Sequence, residues 1–229
     1  MQVPAQLLCL VSLAAASGAD QTKEPKRLDA CREVIEELAD SKEGIPLDLM
    51  EKAACAAVIP GVKKAAIGIG GRFGYGAVSC RFTSGRGPWG PPLMIELKGG
   101  SFGLQIGGQE TDVVLLFMNQ KGIDYLLRNK FTLGADASVA VGPVGRAAEA
   151  ATDAQMRAEI LSYSRSRGLF AGISLEGAVL KQDERANRVL YGRKVSPREL
   201  LLEAGYQTPA AGKDFIAALE RLAPRRPVR

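Results

Sequence analysis

An arginine-rich run in the second half of the chain has the composition of an anion-binding strip. In the run Tyr-Ser-Arg-Ser-Arg, the alternation of a β-strand places Tyr163, Arg165 and Arg167 on one face. Arginine binds phosphate through paired hydrogen bonds and also stacks on flat groups. Each arginine alone could instead pair with a carboxylate such as Glu176 or Asp136 across a sheet. For the set, the composition favours contact with an anion.

A further arginine and a polar motif stand where strands are predicted to end or begin. Arg146 closes the tight connection Gly-Pro-Val-Gly-Arg. A polar run begins at Gln105 and ends with Thr111 and Asp112, just before an apolar segment. Thr-Asp at such a place is also typical of turn capping by side-chain to backbone hydrogen bonds. We therefore count Gln105, Thr111, Asp112 and Glu176 as polar motif residues, with capping as the alternative.

The residue types that the chain lacks remove most catalytic arrangements. The chain has no histidine, which is the commonest general base, a member of the usual serine and cysteine triads, and the commonest metal ligand. It also has no Cys-x-x-Cys pair, so neither a zinc site nor a thioredoxin-type centre is predicted. We expect a protein without cofactor, metal or catalytic residues. Hydrolysis by Asp112 and Glu176 is the remaining enzymatic alternative.

Three cysteines follow residue 19, and their pairing stays open. Cys31 and Cys55 fall on the apolar faces of neighbouring predicted helices, so a Cys31–Cys55 disulfide fits an oxidising compartment. Three buried thiols, with Cys80 as the third, fit the pattern equally well.

The N-terminus has the pattern of a secretory signal peptide. An apolar stretch that begins at Leu7 is too short to span a bilayer, and small residues follow it up to Ala19. We therefore expect residues 1–19 to be removed from an exported protein that is periplasmic or peripheral to the cell envelope. Residues 20–27 and the basic tail 223–229 are expected to be flexible.

All charged residues lie beyond the leader and give a net charge of +5. They are spread along the chain rather than grouped in blocks, which suits contact with an anionic surface but predicts no nucleic-acid partner. No later apolar run is long enough to cross a membrane. We therefore expect a mature protein that is soluble or peripheral to a membrane.

Helical spacing of apolar residues predicts two amphipathic helices at the start of one domain, residues 28–222. The first begins at Leu28, and the second begins at Pro46 and runs to Val58. A single helix is predicted within the central region at Gly122–Arg128. Near the C-terminus, helices are predicted at Asp183–Leu190, Pro197–Ala204 and Gly212–Leu222.

Between Lys63 and Lys181 the chain is rich in glycine and in short apolar or alternating runs. Turn residues separate these runs, as in a meandering antiparallel sheet; one predicted strand covers Ala65–Arg72. Glycines in strands permit strong twist, up to a half-barrel, and are also compatible with a ligand groove. The predicted fold class is therefore α+β, with a twisted, glycine-rich antiparallel sheet between helices at both ends.

Seven motifs that follow one another over residues 30–220 make the chain resemble the SYLF domain family. They are Ile59-Pro-Gly-Val-Lys-Lys64, Trp89-Gly-Pro-Pro92, Gln105-Ile-Gly-Gly-Gln-Glu-Thr-Asp112, Leu133-Gly-Ala-Asp-Ala-Ser138, Gly142-Pro-Val-Gly-Arg146, Tyr163-Ser-Arg-Ser-Arg-Gly168 and Ser174-Leu-Glu-Gly177. The resemblance implies a module that binds phosphoinositides and membranes, with actin-filament binding only in some eukaryotic relatives. It also implies an N-terminal amphipathic, membrane-facing helix and a basic surface. The matching residues here are Leu47, Met50, Lys52 and Val58 in the helix, followed by Lys63 and Lys64.

These observations lead to one functional hypothesis. We expect non-enzymatic, peripheral binding of an anionic, phosphoinositide-like phospholipid in the cell envelope. The expected head-group contacts are Lys63, Lys64, Arg146, Arg165 and Arg167. The alternative is a structural or protein-interaction module of the envelope that holds a protein partner.

Overall fold

The computed structural model describes residues 23–41, 44–67, 69–82, 87–102, 107–144, 157–166 and 169–224. Within these ranges the protein has the predicted α+β fold, a single curled sheet of nine strands that forms a half-barrel with helices at both ends. None of the helices in these ranges is both long and apolar enough to cross a membrane.

The helices of the described ranges are α1 (Lys23–Asp40), α2 (Leu47–Lys52), α3 (Gln120–Leu126), α4 (Glu184–Tyr191), α5 (Pro197–Leu202) and α6 (Lys213–Leu222). Local sequence explains where several begin. The side chains of Asn119 and Asp183 each accept a backbone N–H at the start of α3 and α4. Ser196 and Glu199 form a capping box around Pro197, which fixes the first turn of α5.

The strands are β1 (Cys55–Ile67), β2 (Ile69–Cys80), β3 (Leu93–Phe102), β4 (Gly107–Phe117), β5 (Lys130–Thr132), β6 (Val139–Val141), β7 (Ile160–Ser166), β8 (Leu169–Gly172) and β9 (Val179–Gln182). Their order across the sheet is β5-β9-β3-β2-β1-β4-β7-β6, and β8 also pairs with β7. The sheet is mixed rather than purely antiparallel, because β6 runs parallel to β7.

The longest strands, β1 and β2, form one hairpin whose register runs from Cys55 opposite Cys80 to Ile67 opposite Ile69. The predicted strand Ala65–Arg72 is therefore wrong, since it crosses the tip of this hairpin. Apolar and small residues continue without interruption through the turn, so the hydrophobic pattern alone could not place it.

An irregularity in β1 accounts for two of the strand glycines. β1 is irregular between Ile59 and Val62, and Gly61 within this bulge has a φ of +56°, a conformation that favours glycine. Opposite the bulge, β1 approaches Gly76 so closely that a Cβ atom there would lie 2.0 Å from the Val58 carbonyl oxygen. Close approach of two backbones thus explains Gly76, and the positive φ explains Gly61.

Each face of the sheet carries its own core. On one face, here called the α1 face, α1 and α6 bury residues such as Leu28, Ile35 and Phe215 against the strands. On the other, the α3 face, α3 and α5 contribute Ile123 and Leu200 to a second cluster. The curled sheet therefore lies between two packed layers of helices.

The N-terminal helix is longer than predicted. It begins at Lys23 rather than Leu28, and Glu24 is already buried in its first turn. The expectation that residues 20–27 are flexible is therefore wrong from residue 23 onward. The polar composition concealed a helix whose first turn packs against the domain. The predicted leader, residues 1–19, lies outside the described residues, and so do residues 225–229 of the tail.

The motif that begins at Trp89 has a structural role at the end of α6. The indole N–H of Trp89 donates a 3.0 Å hydrogen bond to the carbonyl oxygen of Ala223, which caps that helix. Buried Arg81 donates to the same oxygen and stacks on the indole, 4.2 Å from the ring centre. A cation at a helix C-terminus is favourable because the unpaired carbonyls there carry partial negative charge.

Candidate functional site

Arg165, the central residue of the predicted anion-binding strip, forms ion pairs within the protein. It lies in β7 directly opposite Asp112 in β4, and two guanidinium nitrogens donate to one carboxylate oxygen at 2.6 and 2.7 Å. A third nitrogen contacts Glu37 of α1. The other oxygen of Asp112 accepts the backbone N–H of Gly61 at 2.8 Å. This arrangement ties α1, the β1 bulge, β4 and β7 together.

The surroundings of this ion pair are acidic. Glu33 and Glu110 line the same open groove of about 310 Å³ as Asp112 and Arg165. Burial raises the pKa of Asp112, the N–H of Gly61 opposes that shift, and Glu110 adds to it. Carboxylates therefore outnumber the single guanidinium here, which makes Arg165 a poor first contact for an anionic head group. The ion-pair alternative applies to Arg165, although with different partners from Glu176 and Asp136.

Several other predicted contacts cannot be placed beside Arg165. Arg146, Arg167 and Gln105 lie outside the residues whose side chains are described. Lys63 and Lys64 are consecutive in β1, so they point to opposite faces of the sheet. Among the polar motif residues, Thr111 is half-buried within β4 and Glu176 is exposed in a turn after β8. The predicted head-group contacts therefore do not all lie on one face of the sheet.

The predicted membrane-facing helix is largely absent. α2 ends at Lys52, whose ammonium pairs with Asp48, and Val58 is a buried residue of strand β1. Met50 is fully buried, whereas Leu47 is 55% exposed. The prediction was wrong because alanine-rich β1 continues the helical spacing of α2. One exposed leucine on a six-residue helix does not make a membrane-inserting face.

The disulfide joins different cysteines from those expected. Cys55 and Cys80 are bridged across the β1–β2 hairpin, and Cys31 is a buried free thiol. Burial raises the pKa of the Cys31 thiol to about 12. The Cys31–Cys55 pairing failed because Cys55 was assigned to a helix, whereas its position in β1 places it directly opposite Cys80.

An exposed surface on the α1 face was not predicted. Phe73 lies in β2 in register with Lys63 on one side and Lys98 on the other. Tyr75, two residues further, faces the same way, because Arg27 of α1 lies over its ring at 4.9 Å. Phe73 is 47% exposed and Tyr75 is 42% exposed. We call Lys63, Phe73, Tyr75 and Lys98 the aromatic–lysine surface.

Lysines outnumber carboxylates around this surface, with Glu110 of β4 in register with Lys63 on one side. Glu96, in register with Tyr75, pairs with Lys98 at 2.8 Å and with Lys181 of β9 at 3.4 Å. Exposed Lys130 of β5 is in turn opposite Lys181. One nearly buried carboxylate is therefore shared by two lysines, with a third beside them. The local charge is positive, in contrast to the groove at Arg165.

The aromatic–lysine surface was missed in the sequence because the turn between β1 and β2 was misplaced. The predicted strand Ala65–Arg72 ended just before Phe73, which left Phe73 outside it. With β2 continuous from Ile69 to Cys80, simple alternation puts Phe73 and Tyr75 on one face. The alternation itself was the signal that could have found them.

Comparison with known proteins identifies the family. A family model for Ysc84, described as "Las17-binding protein actin regulator", matches residues 98–222. An SH3 domain-containing protein of Schizosaccharomyces pombe is 37% identical over 75% of this chain and 40% of its own length. LAS seventeen-binding protein 3 of Saccharomyces cerevisiae is 31% identical over 87% of this chain and 43% of its own.

A mammalian relative extends the match. The human SH3 domain-containing YSC84-like protein 1 is 32% identical over 77% of this chain and 51% of its own length. The chain thus spans about two-fifths to half of the length of the curated relatives it matches. The resemblance to the SYLF domain is confirmed, and the chain belongs to the Ysc84 (SYLF) family.

Proposed function

We propose that the protein binds, without catalysis, to the surface of membranes that contain anionic, phosphoinositide-like phospholipids. The observation that carries this proposal is the aromatic–lysine surface, where Phe73 is exposed between Lys63 and Lys98. Of the head-group contacts expected from the sequence, Lys63 is retained and Arg165 is replaced by Lys98.

The chemistry of this surface matches a bilayer interface. Aromatic rings sit favourably at the head-group level, where one side is apolar and the other is wet. Each lysine near an anionic leaflet contributes about 1 kcal/mol, and this attraction weakens with salt. Two rings and a few lysines therefore suffice for reversible, salt-sensitive attachment, without the inserted helix that the sequence suggested.

The hydrogen bonds of the Asp112 carboxylate support the proposal that the protein is not a catalyst. Both of its carboxylate oxygens are engaged, one by Gly61 and the other by Arg165. Acid–base catalysis needs a group whose proton or lone pair can reach a substrate. The absence of histidine from the sequence points in the same direction.

Reversing both lysine charges, Lys63→Glu with Lys98→Glu, is expected to weaken binding to anionic vesicles by at least about tenfold. Two lysines at about 1 kcal/mol each account for this factor before the repulsion from the new carboxylates is counted. Co-sedimentation with phosphatidylcholine vesicles, with and without one-fifth phosphatidylglycerol, measures the affinity. Phe73→Ser should also reduce binding, and with less dependence on salt.

Lys121→Glu is the matched control, because Lys121 is 79% exposed on α3, which packs on the opposite face of the sheet. It should bind vesicles like the unmodified protein. Equal binding to neutral and anionic vesicles, or no effect of the double reversal, would refute the proposal.

We also propose that the protein is exported. The leader-like N-terminus and the Cys55–Cys80 disulfide support this, because disulfides form and persist in oxidising compartments. The expected result is that protein purified from its native host begins at Asp20. Intact mass spectrometry measures this, and a mass that includes residues 1–19 would count against export.

A protein partner is the second candidate function. It is favoured by the names of the relatives, which describe Las17-binding and actin-regulating proteins. Affinity purification separates the two: one stoichiometric protein partner with no vesicle binding would support the protein-interaction module.

A further inference from the structure

Arg72 of β2 has an unusual environment for an arginine. It belongs to the α3 face and is half-buried, and one terminal nitrogen donates to the carbonyl oxygen of Ser174 at 3.1 Å. Its Nε is buried and has no hydrogen-bond partner. Burial lowers the pKa of Arg72, although an arginine remains protonated at neutral pH. A charged group is therefore partly withdrawn from water, and its Nε–H donor has no partner within the described residues.

Two other partly buried arginines have carboxylate partners. Arg165 pairs with Asp112, and Arg27 pairs with Asp183 at 2.8 Å. For Arg72 no carboxylate lies within ion-pair distance among the described residues. A buried charge without a counter-charge is costly, so the site calls for an anion that the chain itself does not supply.

A second cation faces Arg72 across the hairpin. Lys64 is its direct register partner in β1, so the two side chains leave the sheet on the same face. Like charges directly opposite one another destabilise a strand pair. An anion bound between Lys64 and Arg72 converts this repulsion into attraction.

Lys64, Arg72 and the residue opposite Arg72 in β3 form one row across the sheet, and this third residue leaves room for the guanidinium. Gly99 of β3 is the other register partner of Arg72. A Cβ on Gly99 would lie 3.4 Å from Cγ of Arg72 and 3.0 Å from Ala178, so a side chain there would narrow the path of Arg72 towards Ser174. The absence of a side chain at Gly99 thus lets Arg72 extend across β3 towards Ser174.

We propose that Lys64 and Arg72 form a binding site for a phosphate group on the α3 face. Phosphate oxygens can accept from the terminal nitrogens of the Arg72 guanidinium, while the lysine ammonium supplies the second charge. This site is separate from the aromatic–lysine surface, because Lys63 and Lys64 point to opposite faces, and it does not depend on vesicle binding. A free phosphate and a lipid head group offer the same chemistry to it.

The test is binding of inorganic phosphate in chloride buffer at constant ionic strength, by calorimetry and by the thermal unfolding midpoint. Saturable binding and a rise in the midpoint are expected, since a ligand that binds only the folded state stabilises it. Arg72→Gln should raise the dissociation constant by about tenfold or more, and Lys64→Gln by a smaller factor. Lys64→Gln keeps the test available if the Arg72 variant does not fold.

Lys63→Gln is the matched control and should leave phosphate binding unchanged while it weakens vesicle binding. Absence of saturable phosphate binding, or binding that is unaffected in both Lys64→Gln and Arg72→Gln, would overturn the proposal. It would also be overturned if Arg72→Gln lowered the midpoint in phosphate-free buffer while Lys64→Gln bound phosphate normally. Arg72 would then only anchor the Ser174 carbonyl.

A second arm identifies the source of the phosphate. Dihexanoyl phosphatidic acid, used below its micelle concentration, is titrated into the same variants. Tighter binding than inorganic phosphate, lost in Arg72→Gln, assigns the site to a lipid head group. Equal affinities assign it to a soluble phosphate, and both outcomes support the site.

Discussion

Replacing Gly76 with alanine is expected to lower the free energy of unfolding by about 3 kcal/mol or more. The new Cβ would lie 2.0 Å from the carbonyl oxygen of Val58 and 2.7 Å from Cα of Ile59. Both are backbone atoms of β1, so no side-chain rotation relieves the contact and the two strands must separate. Urea unfolding followed by the fluorescence of Trp89, the single tryptophan, measures the change.

Gly100 provides the matched control for Gly76. It is also a strand glycine, but no atom lies within 4 Å of the Cβ position. Gly100→Ala should leave stability unchanged or raise it by about 0.5 kcal/mol, because alanine restricts the unfolded chain. If Gly76→Ala were as stable as Gly100→Ala, close approach of β1 to β2 would not be the reason for glycine at position 76.

Gly76 and Gly100 also illustrate which features of the sheet could be predicted from the sequence. Glycine density predicted a strongly curved sheet, which is confirmed. It could not distinguish a glycine close to the backbone of the neighbouring strand from one with open space at its Cβ position, since both look alike along the chain. That difference depends on the bulge between Ile59 and Val62 in the neighbouring strand.

Helix starts were predictable where a local capping group exists. Asp183 and Ser196 mark α4 and α5 within their own sequence, and both helices begin where expected. The boundary between α2 and β1 carries no such mark. There the apolar residues of a buried strand and those of a helix are equivalent, so Val58 was assigned to the wrong element.

The candidate sites depend on register, which is a relation between distant segments. Arg165 was correctly placed on a strand, but its partner Asp112 became visible only when β4 and β7 were aligned. The pairing of Lys64 with Arg72 likewise follows from the hairpin turn. Residue type therefore indicated which side chains could bind an anion. The register of the paired strands determined which of them already form ion pairs with carboxylates.

Reduction of the Cys55–Cys80 disulfide is expected to lower the free energy of unfolding by about 3 kcal/mol. The bridge links residues 25 apart in sequence, and closing a loop of that size restricts the unfolded chain by about this amount. Urea unfolding with and without a phosphine reductant measures the difference on identical side chains. The midpoint should fall by roughly 1 M or more.

Two variants determine which cysteines are responsible. In Cys31→Ala the reductant should produce the same fall in midpoint, because Cys31 is a free thiol. In Cys55→Ala it should produce none, because the only bridge recorded in the described residues has been removed. If the reductant produced no fall in the midpoint of Cys31→Ala, the result would instead support a Cys31–Cys55 bridge. Because Cys55 and Cys80 are register partners in one hairpin, the expected pattern would also support the alignment of β1 with β2 at that end of the hairpin.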